Sequence, residues 1–152
     1  MPSFLSNNFG TVTYESNAVL QFPQGMPGFE ERRLFLPLQY PDTKPLIFLQ
    51  SLEDPALCFV TMPVLSVDPA YDLHITAEDR GQIALPPSEP LEIGTNVLCL
   101  TIVSLQESGP TANLLAPIVV NLRNFLAVQA IAEDSAYAHQ HALLPHETAV
   151  CS

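Results

Sequence analysis

VLCLTIVSL, residues 97–105, decides the fold class. In an extended chain Val97, Cys99, Thr101, Val103 and Leu105 share one face, and Leu98, Leu100, Ile102 and Ser104 share the other. Both faces are apolar, which is the pattern of a central strand covered on two sides. Working outward, prolines and glycines punctuate the chain at short intervals. The segments between them are rich in Val, Ile, Leu, Phe and Thr, a composition that suits short strands better than long helices. The reading is an all-β fold with one or two short helices, its central strand lying in a closed or sandwiched sheet.

Strands are expected over residues 9–14, 18–21, 34–38, 46–51, 58–62, 72–75, 96–105, 113–122 and 125–131. Residues 113–122 pair with 96–105 through a turn around 107–110, with Pro117 forcing a bulge or edge because it removes one ladder donor. The chain then turns near Asn124 into a last strand, completing a meander. Helices are expected in two places. FEERRLF, residues 29–35, runs from acids to bases in the order the helix dipole favours. Thr76 offers a capping hydroxyl ahead of Glu78 and Asp79.

The chain has 152 residues and 16.6 kDa, so one domain is expected, with residues 1–141 as the β domain and 142–152 as a flexible tail. A chain of this mass buries roughly two-thirds of its unfolded surface, enough for a core without disulfide or metal staples. Sixteen acids oppose five bases, for a net charge of -11. That balance argues against direct binding to DNA or RNA and disfavours an anionic membrane surface. The acidity is concentrated: residues 1–44 carry -1 and residues 45–152 carry -10. A basic protein partner and simple solubility are both compatible with it. Cys58, Cys99 and Cys151 are odd in number, without CxxC spacing, and read as thiols of a reducing compartment. The amino terminus lacks a basic head and a long apolar stretch, so no signal peptide is read there, and the expected location is cytoplasmic.

Motifs for nucleotide, phosphate, serine-hydrolase and zincin chemistry are absent, and no cofactor is expected. His139, His141 and His146 cluster near the end, and a metal-binding module would need all three to converge with another ligand. Glu53 and Asp54 are adjacent and lead into the turn signal Asp54-Pro55, a poor arrangement for paired acid–base work. Cys58 as a hydrolase nucleophile lacks a basic neighbour in sequence.

Three segments carry more information than composition. FPQGMPGF, residues 22–29, combines Gly25 and Gly28, which allow positive φ, with Pro23 and Pro27, which fix it. Phe22 and Phe29 can enter the core, and the octet prescribes a rigid strand-to-helix corner. QSLEDP, residues 50–55, is an acidic hairpin tip where exposed Gln50 and Asp54 are available to a partner. TANLLAPIVVN, residues 111–121, places Asn113 and Asn121 in an apolar strand, where their amides must hold turns or meet a partner's backbone.

Together these three segments resemble the FliW-type flagellar assembly factors, over about residues 5–141. FPQGMPGF is similar to that family's Phe-Pro-x-Gly-x-Pro-Gly-Phe signature, QSLEDP to its Gln-Ser-x-x-Asp-Pro element, and NLLAPIVVN to its Asn-Leu-x-Ala-Pro-Ile-x-x-Asn strand. Ser135-x-Tyr137-x-x-x-His141 also matches, with Gln140 where a basic residue is common; Lys44 is the sole lysine. The resemblance implies an all-β protein, a small antiparallel β-barrel-like or partly open barrel with one or two short helices, without catalysis. It implies that the protein binds a translational repressor, the carbon storage regulator, and flagellin, relieving repression of flagellin synthesis. The repressor must offer a basic surface to RNA. Glu53, Asp54, Asp68, Asp72, Glu78 and Asp79 lie between Lys44 and Arg80 with no intervening base. With Gln50, Asn113 and Asn121 they are the expected partner-binding residues. Phe22, Pro23, Gly25, Pro27, Gly28, Phe29 and Pro117 are the expected structural ones.

Overall fold

A computed structural model of the protein describes residues 1–131 and 137–143. Its strands are β1 (Ser3–Ser6), β2 (Gly10–Thr13), β3 (Leu20–Gln21), β4 (Leu34–Leu38), β5 (Ile47–Ser51) and β6 (Cys58–Pro63). Helices α1 (Val64–Val67) and α2 (Ala77–Gln82) precede β7 (Val97–Gln106), β8 (Gly109–Ala112), β9 (Ile118–Asn121), β10 (Ala127–Gln129) and β11 (His141–Ala142). All strand pairs are antiparallel, and the main sheet runs β10-β9-β7-β6-β5-β4-β3. Its two ends meet: Gln21 of β3 bridges Leu126, just ahead of β10, and the Gln21 N–H donates to the Phe125 carbonyl at 3.0 Å. The sheet therefore curls into a nearly closed barrel, the arrangement that removes most exposed edges.

Strand alternation sends side chains to two cores. Leu20, Phe22, Phe35, Leu49, Leu100, Ile118, Val120 and Ala127 fill the barrel. Val97, Cys99, Val119 and Val128, from the opposite faces of the same strands, pack under Val64, Tyr71, Ile83 and Leu85. β7 thus has one face in each core, as its doubly apolar pattern requires.

The structure revises several expected elements. Residues 113–122 do not form one strand. β9 pairs with the first half of β7 (Val97↔Asn121 to Leu100↔Ile118), and β8 pairs with its second half (Val103↔Ala112 to Gln106↔Gly109). Five residues, 113–117, lie opposite Thr101 and Ile102, looped out where Pro117 has no N–H to give. The helix expected over 29–35 is a turn leading into β4. Leu34 and Phe35 pair with β3, and the Arg33 and Leu34 N–H groups donate to Glu53 Oε1, so no helical ladder is available to them. The strand expected over 72–75 is unpaired; Leu73 and Ile75 face the core beneath, which period-two alternation alone reports. The helix at Thr76 is present, with its Oγ1 accepting from the Asp79 N–H at 3.1 Å. α1, β1, β8 and β11 lie outside the expected elements, β8 beginning at Gly109 within the turn expected around 107–110.

The expected domain boundary after 141 falls inside β11, whose Ala142 pairs with Thr111. The Leu143 N–H adds a bond to the Pro110 carbonyl, so 142 and 143 belong to the body. Residues 144–152 of the expected tail, with His146 and Cys151, lie outside the described residues. Among the described residues no helix is long and apolar enough to cross a membrane.

Candidate functional site

The corner at residues 22–29 is built by close backbone approach. Gly25 has φ 71°, and a Cβ placed on it would stand 2.4 Å from the Glu30 carbonyl oxygen. Only glycine fits there. The Phe29 N–H donates to the Met26 carbonyl at 2.7 Å, and the Arg32 N–H to the Phe29 carbonyl at 2.9 Å, closing two successive turns. Phe22 and Met26 are buried, whereas Phe29, expected in the core, remains 41% exposed. The corner therefore joins strand to strand and sets an aromatic ring at the surface. That ring packs edge-on against Phe59 at 5.4 Å; Phe59 tilts against Phe35 at 5.7 Å; Phe35 meets Phe22 edge-on at 5.4 Å.

Gln50 is not an exposed partner contact: it is fully buried. Its Oε1 accepts from Ser6 Oγ at 2.8 Å, and its Nε2 hydrogens are shared among the Ser51, Asp54, Pro55 and Leu57 carbonyls at 3.0 to 3.3 Å. The Asp54, Pro55 and Leu57 carbonyls also accept from the Leu57, Asn7 and Ser51 N–H groups, so the amide uses their second lone pairs and ties the tip together from inside. Glu53 reaches back to the Arg33 and Leu34 N–H groups, while Asp54 Oδ1 accepts from the Ala56 N–H at 3.0 Å. Both acids thus order the tip, with one oxygen of each carboxylate left free of these bonds.

Asn113 and Asn121 hold turns. Asn113 Oδ1 accepts from the Ala116 N–H at 3.1 Å. Asn121, buried, donates to the Ile83 carbonyl at 2.8 Å and accepts from the Arg123 N–H at 3.0 Å, tying the end of α2 to the β9–β10 turn. Pro117 is buried, and its carbonyl accepts from the Ala130 N–H at 2.8 Å.

The six acids expected to act together are distributed over two regions. Asp54 lines a shallow depression with Gly28, Phe29, Glu30, Glu31 and Arg32. Asp79 lines a second one with Gly25, Pro27 and Gln129, and Glu30 belongs to both. Partial burial at the start of α2 pushes the Asp79 carboxyl above its ordinary pKa, opposed by the Thr76 hydrogen bond. Glu78 stands beside it in the first turn of α2. Asp68 and Asp72 belong instead to the segment under which Tyr71 stacks on Tyr137 at 4.3 Å. There Asp68 Oδ1 accepts from the Ala70 N–H, and Asp72 pairs with His74 at 2.9 Å on the surface. Glu30 and Glu31, read from the sequence as a helix's first turn, are the acids that the corner brings to Asp54. The Asp54-Pro55 turn signal gave no hint of that contact, because it arises from pairing between distant strands.

Neither hydrolytic nor metal chemistry gathers support. Burial pushes the Cys58 thiol up to about 11 and Cys99 to about 12, the wrong direction for a nucleophile. His139 and His141 are exposed, and among the described residues no three His, Cys, Asp or Glu side chains converge as a metal site would require.

This chain has counterparts among known proteins. The FliW protein family matches residues 4–143. A flagellar assembly factor FliW of Desulfitobacterium hafniense is 32% identical, over 95% of this chain and 92% of that protein. One from Geobacillus sp. strain WCH70 is also 32% identical, over 92% and 94%. A crystal structure of the flagellar assembly factor FliW superposes with a TM-score of 0.82 at 31% identity, covering 96% of this chain and 99% of that one. With agreement in sequence across nearly the whole length and in the path of the sheet, this chain belongs to the FliW family.

Proposed function

We propose that this protein is a cytoplasmic, non-enzymatic flagellar assembly factor that binds the carbon storage regulator and flagellin. By occupying the repressor it relieves repression of flagellin translation, and by exchanging the repressor for flagellin it couples translation to export. The observation that carries this reading is the family match over residues 4–143, with relatives named flagellar assembly factors. The charge supports it: a net -11 suits a partner whose own surface must be basic to hold RNA phosphates. Once docked, acids beside the RNA path repel the phosphates within a screening length of about 8 Å at physiological salt.

The test is a retention experiment on the immobilised full chain. Purified repressor and purified flagellin are each expected to be retained, and prior saturation with flagellin is expected to release the repressor. Retention of neither protein at 50 mM salt, where charge attraction is strong, sinks the proposal.

A further inference from the structure

We propose that the exposed face of Phe29, rimmed by Glu30, Glu31 and Asp54, is the docking surface for a basic protein segment that places one apolar side chain against the ring between flanking Lys or Arg residues. This deepens the reading of a basic repressor as partner and rests on it. Three observations carry the inference. The ring is 41% exposed, and it is braced through Phe59 and Phe35 to Phe22 at the bottom of the barrel core. A large aromatic held this way loses little freedom on binding, which is how interface anchors earn their effect. The mount is stiff as well, because Gly25 lies directly against the Glu30 backbone.

The rim supplies complementarity. Three carboxylates face one guanidinium, and Arg32 stands 3.8 Å from Glu31 and 3.9 Å from Asp54, long contacts at the surface that hold little energy. Those carboxylates remain available to an incoming cation. Arg33, exposed one residue further on, lies outside the depression. Leu105 is more exposed, at 86%, near the tip of the β7–β8 hairpin, but as an aliphatic side chain it has no aromatic bracing of the kind that holds Phe29. Together the ring and its acids select an apolar side chain flanked by positive charge.

Binding of the purified carbon storage regulator to the full chain, measured by titration calorimetry at two salt concentrations, tests this. Phe29→Ala is expected to weaken binding about tenfold or more. Glu31→Arg, at a side chain 93% exposed and therefore harmless to folding, is expected to weaken it about fivefold and to flatten its salt dependence. Asp42→Arg makes the same charge change ahead of β5, at the end of the strand opposite Asp54, and is expected to stay within about twofold of wild type. Wild-type affinity in both Phe29→Ala and Glu31→Arg, or an equal loss in Asp42→Arg, overturns the docking surface while leaving the partner intact. Absence of binding by the unaltered chain overturns the partner assignment and the surface together.

Discussion

Gln50, Gly25, Gly28 and Cys58 show how much of this molecule is decided by single groups. Gln50 shares two N–H hydrogens among four carbonyls from inside the β5–β6 tip. The Asp54, Pro55 and Leu57 carbonyls also accept from the Leu57, Asn7 and Ser51 N–H groups, so Gln50→Ala acts by removing the amide's own bonds and leaving a cavity at a fully buried position. It is expected to cost about 2–4 kcal/mol in urea denaturation. A partner-contact role would instead leave the denaturation midpoint in place. Gly25 and Gly28 both have positive φ, 71° and 86°, but a Cβ collides with the Glu30 backbone only at Gly25. Gly28→Ala is therefore expected to lose about 1 kcal/mol, and Gly25→Ala clearly more, as read by paired thermal melts. Cys58, with its thiol held near 11, has roughly one part in a thousand as thiolate at pH 8. Peptide mapping after brief alkylation of the folded protein is expected to find Cys58 and Cys99 unmodified, and denaturant to expose both.

At the scale of elements, the sequence was most informative where one side chain pattern had one structural solution. β7 is such a case: two apolar faces demand two cores, and both are present. β4 likewise runs over the expected 34–38. Residues 29–35 show the opposite. Their charges suit a helix, but Phe35 must meet Phe22 inside the barrel, and long-range pairing overrides the local preference. Residues 113–117 show a partial success, since Pro117 announced a break without revealing that two strands would share one edge of β7. The candidate site was legible to the same degree: its glycines and acids stood out, while the approach of Glu30 to Asp54 depends on that pairing.

Another element-scale tie is testable by pH. Glu89 holds the proline-rich segment before β7 to the β9–β10 turn, bonded to Arg123 and, at 2.9 Å, to Asn96 Nδ2. The Arg123 hydrogen bond and then that of Asn96 keep its carboxyl below the ordinary value of 4.5. A folded-state pKa below the unfolded one gives stability that is present above pH 4.5 and is lost as pH falls through the folded value. Glu89→Gln is expected to lower the urea midpoint at pH 7 and to flatten its decline below pH 4.5. An unchanged decline on acidification would show that the tie does not contribute.

At the scale of the whole molecule, the proposed function requires an acidic barrel to displace RNA from the repressor it docks on, either by repulsion or by a change of the repressor's shape. Residues 45–152 carry -10, and Glu53 at the β5–β6 tip and Glu78 in the first turn of α2 stand at the surface. If repulsion does the work, the coupling between this protein and RNA on the repressor must shrink as the screening length falls from about 8 Å at 0.15 M to about 3 Å at 1 M salt. Conformational coupling through the repressor has no such dependence. The quantity to measure is RNA affinity for the saturated complex divided by its affinity for the repressor alone, across a salt series, since the ratio cancels the salt effect common to both. We expect that ratio to rise toward one with salt, and to rise at fixed salt when Glu53 and Glu78 are made glutamine. A ratio flat in both tests would assign the displacement to a change of shape in the repressor, with the charge of this barrel serving attraction alone.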